Sequence, residues 1–363
     1  MAAQGQLKCL IVDDSAVYRK IVRNVVQSIP NAEVVGMARD GKVALDMIAS
    51  HKPDVVTLDL EMPELDGIGV LRELQARGDK TAAIMVSAFT ARGAKATATA
   101  LRLGAFDFIL KPTTKSAEMS IQQLSKDLSP KLLAIHGNLQ KSQPGKRVAT
   151  PSVRKQVSRP APKRAGVWLR PEIVAIGVST GGPQALSRLM PKIPANFSAP
   201  IVIVQHMPPM FTKSLAEELD KHCPLKVMEA SNGQVIRRGE VLLAPGGKQM
   251  RIAKGASGNI VQLTDDAPEK NCKPSVDYLF RSVAQVYRNK SVGVVLTGMG
   301  DDGTLGAQQM RQAGAGIIAQ DEASCTVYGM PKSVVENGLA DVVAPLDKIH
   351  EHIVKSLQQR LAV

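Results

Sequence analysis

Aromatic side chains make up only 3% of the 363 residues, with a single tryptophan among them. A chain so poor in Phe, Tyr and Trp must build its cores from Val, Ile, Leu, Ala and Met. That composition suits buried parallel strands covered by helices, whose sequences read as continuous aliphatic runs. Cysteine is also scarce. Cys9, Cys223, Cys272 and Cys325 fall into neither a metal-ligand spacing nor a short disulfide framework, which points to a reducing compartment. The amino-terminal MAAQGQLKC lacks a basic n-region and an apolar h-region, and no apolar run is long enough to span a bilayer. The expectation is a cytoplasmic protein with no direct membrane insertion.

A hydrophobic fraction of 44% over this length allows two or three domains, each with its own core. The net charge of +13 first suggests nucleic acid or an anionic surface. Its distribution argues otherwise. Ten Lys or Arg residues and no Asp or Glu fall between residues 128 and 171, in a stretch rich in Pro, Ser, Gln and Ala. Such a segment cannot bury enough apolar surface to offset its ordering entropy, so residues 135 to 168 read as a flexible tether. The expected division is 1–130, a basic linker 131–168, and 169–363.

In the amino-terminal part, LKCLIV, AEVVGMA, DVVTLD, AAIMVSA and FDFIL read as strands. Amphipathic segments 15–28, 41–50, 67–77, 91–103 and 115–129 read as helices between and after them. Five right-handed units predict a five-stranded, doubly wound parallel sheet, whose ligands collect beyond the carboxyl ends of the strands. Asp13, Asp14, Asp59, Ser87 and Lys111 all fall at those ends. Carboxylates so close repel unless a hard cation such as magnesium sits among them. That ion would also neutralise an incoming phosphoryl group and leave one carboxylate oxygen as nucleophile. Asp59, at the centre, is the expected nucleophile, with Asp13 and Asp14 as metal ligands beside it. Lys111 supplies a point charge to the phosphoryl oxygens and Ser87 a hydroxyl donor. A cis bond before Pro112 is one way to hold Lys111 in place.

The set Asp13-Asp14-Ser15, Leu58-Asp59-Leu60-Glu61-Met62-Pro63, Ser87-Ala88 and Lys111-Pro112 resembles the receiver domains of bacterial two-component signalling over residues 5–130. The resemblance implies phosphorylation of Asp59 by a histidine kinase with magnesium bound. It also implies a turn of the Ser87 hydroxyl toward the phosphate, coupled to an aromatic at the position of Phe108.

Beyond the linker, PEIVAIGVSTGG is a strand running into a glycine-rich turn, APIVIVQHMPP a strand ending in His206, and SVGVVLTGMGDDG a strand ending in two aspartates. With VLLAPG and AGIIAQD as further strands and helices near 183–190, 211–221 and 275–288, a second, larger, mostly parallel Rossmann-like α/β domain is expected. Gly177-Val178-Ser179-Thr180-Gly181 matches the G-x-S-x-G nucleophile elbow, although a phosphate-binding turn has a similar glycine pattern. His206 discriminates between them. Serine Oγ needs an imidazole to take its proton, and the imidazole needs a carboxylate to fix its tautomer. Ser179, His206 and either Asp302 or Asp301 each follow a separate strand and could meet as a triad. The N–H or hydroxyl of Thr180, with N–H groups around Met299, could form an oxyanion hole.

These segments, with Gln205-His206-Met207, Ala244-Pro245-Gly246-Gly247, Ala323-Ser324-Cys325 and Gly329-Met330-Pro331, resemble the catalytic domain of the chemotaxis protein-glutamate methylesterase family over residues 170–355. The resemblance selects Ser179, His206 and Asp302 as the triad and places Thr180 and Met299 beside the oxyanion. It implies hydrolysis of glutamyl methyl esters on chemoreceptor cytoplasmic helices with release of methanol, deamidation of glutamines there, and no metal for that half. Its implied partners are methyl-accepting chemotaxis receptors and a histidine kinase. A phosphate switch tethered to a hydrolase further suggests that the unphosphorylated receiver restricts substrate entry. The alternative, a response regulator controlling transcription through a carboxyl-terminal DNA-binding domain, finds no compact helix-turn-helix or finger spacing in 170–355.

Overall fold

The structure, a computed structural model, describes residues 5–112, 116–142 and 170–358. The chain divides into two compact units, Met1–Val153 and Arg154–Val363. In the first, strands and helices alternate: β1 (Leu7–Val12), α1 (Ala16–Gln27), β2 (Ala32–Ala38), α2 (Gly41–His51), β3 (Val55–Asp59), α3 (Gly67–Ala76), β4 (Ala82–Ser87), α4 (Ala91–Arg102), β5 (Asp107–Leu110) and α5 (Ala117–Ser142). All pairings are parallel, in the order β2-β1-β3-β4-β5. Ser15, Asp40, Asp66 and Thr90 start their helices by accepting the backbone N–H three residues ahead, as short polar side chains do at helix N-caps. The expected helix starts at 15, 41, 67 and 91 hold to within one residue.

Helix α5 departs from expectation. It passes through Pro130 and continues to Ser142, so the helix runs beyond the expected 115–129 and residues 135–142, read as flexible, are helical. Leu124, Leu128, Leu132 and Ile135 are all buried against α1 and the sheet. Their spacing of four, four and three makes one apolar stripe. Packing along that stripe outweighs the lost N–H of proline, whereas the basic composition of the segment describes only its solvent face. Residues 143–168 of the expected tether lie outside the described residues.

The second unit contains β6 (Ile173–Val178), α6 (Gly182–Leu189), β7 (Ile201–Gln205), α7 (Phe211–Asp220), β8 (Lys226–Glu229), β9 (Glu240–Leu243), β10 (Gln249–Gly255) and β11 (Gly258–Thr264). It continues with α8 (Val276–Tyr287), β12 (Ser291–Val295), α9 (Thr304–Gln312), β13 (Gly316–Gln320), α10 (Met330–Glu336), β14 (Val342–Ala344) and α11 (Leu346–Gln358). Seven strands form a parallel sheet in the order β14-β13-β12-β6-β7-β9-β8. The fold class is the expected one. From β6 the chain proceeds to β7 on one side and reaches β12 on the other, so the strand order reverses there. A cleft at such a switch point is where ligands bind in open α/β sheets.

The β10–β11 hairpin, antiparallel from Gln249↔Thr264 to Gly255↔Gly258, was not anticipated. Its residues alternate too weakly to announce strands. Met250, Ile252 and Val261 are buried with α8 in the core, and Ser282 Oγ on α8 accepts the Ile252 N–H at 3.0 Å. Gln249 Oε1, at the first residue of the hairpin, accepts the N–H of Ser275, the N-cap of α8, at 2.8 Å, and the start of α8 shapes the site described next. Among the described residues, no helix is long and apolar enough to cross a membrane.

Candidate active site and acidic phosphate site

At the end of β6, Ser179 is held by its backbone. Its N–H donates to Thr297 O at 3.0 Å, and its carbonyl accepts Gly182 N–H at 2.7 Å and Gln205 Nε2 at 3.0 Å. Gly181 has φ of 76°, and a Cβ there would fall 2.3 Å from Thr326 Cβ, so the turn requires glycine. A Cβ on Gly298, after β12, would come 2.8 Å from Ser179 Cβ. The neighbouring backbone thus approaches the serine as closely as glycine allows.

His206 is the next residue beyond the Val178↔Gln205 pair of β6 and β7, and its N–H donates to Val178 O at 3.2 Å. Adjacent strands bring it beside Ser179. Its Nε2 donates to Asp302 Oδ2 at 2.8 Å. A carboxylate accepts only, so this bond puts the ring proton on Nε2 and leaves Nδ1 as the basic nitrogen. Nδ1 faces Cys272 Sγ at 3.6 Å. Among the described residues, the Ser179 hydroxyl makes no hydrogen bond with His206.

Asp302 collects five donors. Oδ1 accepts from Ser275 Oγ (2.9 Å), Asp277 N–H (3.0 Å) and Gly303 N–H (3.0 Å), while Oδ2 accepts from Val276 N–H (2.7 Å) and His206 Nε2. The carboxylate therefore sits on the amino end of α8, where unpaired N–H groups and the helix dipole favour an anion. Burial alone would raise its pKa. The His206 hydrogen bond and charge, with the Asp277 and Val276 N–H groups, outweigh that and hold it at about 2. For His206, burial pulls the pKa down, but the hydrogen bonds to Asp302 and Cys272 and the nearby negative charge raise it to about 9.

Asp301 goes elsewhere. It is largely exposed and pairs with Lys270 Nζ at 3.0 Å, which also lies 3.1 Å from the buried Asp277 Oδ2. The structure thus brings Asp302, not Asp301, to His206. Thr180 is buried and Met299 half-buried, and the N–H of each donates to no described residue.

Sequence reasoning assigned no role to several residues that shape this site. Buried Gln205 ties the Ser179 and His206 loops together through Nε2. Thr297 Oγ1 donates to Thr180 O at 3.0 Å and accepts Val327 N–H at 2.9 Å, and Gln320 Oε1 accepts Thr297 N–H at 2.8 Å. Ser275 and Cys272 come from the loop before α8, distant in sequence. Only the polar character of Gln205 and Gln320 at the ends of aliphatic strands hinted at such roles.

In the first unit, Lys111 Nζ lies 2.7 Å from Asp59 Oδ2 and 2.9 Å from Asp13 Oδ2. Asp13 and Asp59 are buried, whereas Asp14 is exposed. Ligand oxygens of all three lie within 4.8 Å of one another. Burial, with the charge of Asp13, raises the Asp59 pKa to about 6 despite the Lys111 hydrogen bond. Asp13 Oδ2 receives no hydrogen bond, only the Lys111 charge. Three hard oxygen donors short of positive charge fit a magnesium ion. Ser87 is buried at the end of β4, where its hydroxyl donates to Ala88 O at 3.3 Å. Phe108 is buried on β5, in register with Met85. The cis peptide among the described residues is Lys273–Pro274; the bond before Pro112 is trans, and Tyr18 Oη, donating to Pro112 O at 2.9 Å, anchors that turn instead.

Residues 174–353 match the CheB methylesterase family and residues 9–121 the response regulator receiver domain. A protein-glutamate methylesterase/protein-glutamine glutaminase of Desulfotalea psychrophila is 44% identical over 361 residues, covering 97% of this chain and 99% of that one. Its namesake in Thermotoga maritima is 41% identical and covers 96% and 98%. The crystal structure of the Thermotoga maritima CheB methylesterase catalytic domain is 44% identical, covers 52% of this chain and 99% of that one, and superposes with a TM-score of 0.50.

Proposed function

Because the chain belongs to the CheB methylesterase family and carries a receiver domain ahead of the esterase, we propose that Ser179, His206 and Asp302 hydrolyse glutamyl methyl esters on chemoreceptor helices. The observation that carries the assignment is the His206–Asp302 pair, locked to the start of α8 beside Ser179 at the sheet's switch point. His206 Nδ1 takes the Ser179 proton as Oγ attacks the ester carbonyl. The Thr180 and Met299 N–H groups receive the oxyanion. Methanol leaves with the proton that His206 returns, giving an acyl-serine. Water, deprotonated by the same nitrogen, then frees the glutamate. The Ser179–His206 hydrogen bond forms in the substrate complex, since such bonds often tighten only there. With a glutamine amide in place of the ester, ammonia leaves instead, which accounts for a deamidase activity on the same residues.

Transcriptional control through a DNA-binding second domain falls with the match of 174–353 to the methylesterases. The partners proposed are methyl-accepting receptors and a histidine kinase, in the cytoplasm.

The pH profile tests the base. With its pKa raised above 6.5 by Asp302, His206 is protonated at mildly acid pH and cannot accept the serine proton. Receptor demethylation should therefore rise with pH, its kcat/KM midpoint lying above that of a free imidazole. A midpoint at or below 6.5 would show that Asp302 does not hold the imidazolium.

Asp59 is the proposed phosphoacceptor, with Asp13, Asp14 and Asp59 holding magnesium, which when bound neutralises phosphoryl oxygens. Lys111 pairs with the phosphoryl group, and the Ser87 hydroxyl leaves Ala88 O to donate to it. Phosphorylation is the control input to the hydrolase. A small-molecule phosphodonor should accelerate methanol release from methyl-labelled receptor by on the order of tenfold, within the usual span of allosteric couplings. Asp59→Asn should keep the basal rate and lose the acceleration. If the variant responds to phosphodonor as the wild type does, Asp59 is not the acceptor.

A further inference from the structure

Cys272 lies half-buried in the loop before α8, its Sγ 3.6 Å from His206 Nδ1, the ring nitrogen that Asp302 leaves free. We propose that Cys272 Sγ and His206 Nδ1 form a zinc-binding pair whose occupation switches the hydrolase off.

Three observations support it. The spacing is the first: thiolate and imidazole ligands at about 2.3 and 2.0 Å from a tetrahedral zinc stand about 3.5 Å apart, close to the separation found. The tautomer is the second. Metal-bound imidazoles commonly donate their other N–H to a carboxylate, which fixes the ring and raises the basicity of the ligating nitrogen. His206 Nε2 already donates to Asp302, whose remaining capacity is taken by Ser275 Oγ and the N–H groups of Val276, Asp277 and Gly303. Asp302 thus serves behind the histidine rather than as a ligand. Access is the third. The His206 side chain is 14% exposed and Cys272 is half-buried, so neither ligand is sealed from solvent, which would supply the other coordination positions. The donor set also selects the ion. A thiolate and an imidazole suit a borderline-soft metal such as zinc, whereas the oxygen cluster of Asp13, Asp14 and Asp59 suits magnesium.

On binding, the Cys272 thiol and, where His206 is an imidazolium, Nδ1 each release a proton to solvent, and the thiolate and Nδ1 lone pairs go to the metal, so that binding tightens as pH rises. No electron is transferred. Nδ1 can then no longer accept the Ser179 proton, and this inhibitory half rests on the assignment of His206 as base. The binding half does not.

The test uses the full chain in excess magnesium, so that the receiver carboxylates are occupied, with cobalt(II) as spectroscopic probe. Wild type should show a thiolate-to-cobalt charge-transfer band that zinc abolishes by competition. The band should persist in Ser179→Ala and in Cys325→Ala, which removes another half-buried thiol, and disappear in Cys272→Ala. Saturating zinc should slow demethylation by wild type about 10²-fold, the worth of a positioned general base, and chelation should restore it. Cys272→Ala, measured against its own zinc-free rate and checked for a native circular dichroism spectrum, should resist the same zinc. No band in the wild type, or a band retained in Cys272→Ala, overturns the site. Equal zinc inhibition of both proteins overturns the switch. The cobalt spectrum involves no turnover, so it stands even if Ser179 is not the nucleophile.

Discussion

Ser179→Ala should lower methanol release from methylated receptor by about 10⁴-fold or more, while leaving the fold and the phosphorylation of Asp59 intact. The size follows from what each part of the site contributes. Without Oγ no acyl intermediate forms, and the surviving oxyanion donors and bound substrate provide only a residual rate over water. Little structural cost is expected, because the serine is held by its backbone to Thr297, Gly182 and Gln205, and its hydroxyl bonds to none of the described residues. A variant that keeps more than a tenth of wild-type release would remove Ser179 from the mechanism. Deamidation should fall in parallel, since ester and amide share the nucleophile.

Asp302→Ala should do more damage of another kind. Activity should drop on the order of 10⁴-fold through loss of the imidazole's tautomer and charge partner. The second unit should also lose about 3–5 kcal/mol of stability, as expected when one partner of a buried, charge-assisted pair is removed. Four other donors, Ser275 Oγ and the N–H groups of Val276, Asp277 and Gly303, would be stranded with His206. Asn is no remedy. Its amide offers one oxygen where two are used, and its NH₂ must face donors on one side or the other. Urea unfolding monitored on the second unit, beside demethylation assays, separates the two effects. An Asp302→Ala protein as stable as wild type would mean that those donors find water instead, and that the buried network is not holding the loop.

The two aspartates after β12 show where sequence reading stops. Both Asp301 and Asp302 follow the strand, both precede Gly303, and either could serve His206 on spacing alone. What separates them is the start of α8, some 25 residues earlier in the chain, whose N–H groups donate to one carboxylate while Lys270 draws off the other. Non-local arrangements of that kind leave no local pattern. The same holds for Cys272, which stands in no motif yet meets His206 in space. By contrast, Ser179 and His206 were legible because each ends an aliphatic run on neighbouring parallel strands, and strand ends are where such sheets gather polar residues. Asp13, Asp59 and Lys111 were legible for the same reason. Helix α5 was expected over 115–129 but its continuation was missed: proline and basic composition suggested a tether, while the stripe of Leu124, Leu128, Leu132 and Ile135 was the stronger signal. Composition averages over both faces of a helix, whereas periodicity distinguishes them.

Anchoring Asp302 to the first turn of α8 has a consequence for the dynamics of the enzyme. The amides of Val276 and Asp277 are bonded to the same carboxylate that orients His206. Any opening that exposes them to deuterium exchange also releases the carboxylate from its seat. Protection of those two amides is therefore a direct gauge of the fraction of molecules whose histidine is aligned, readable without substrate.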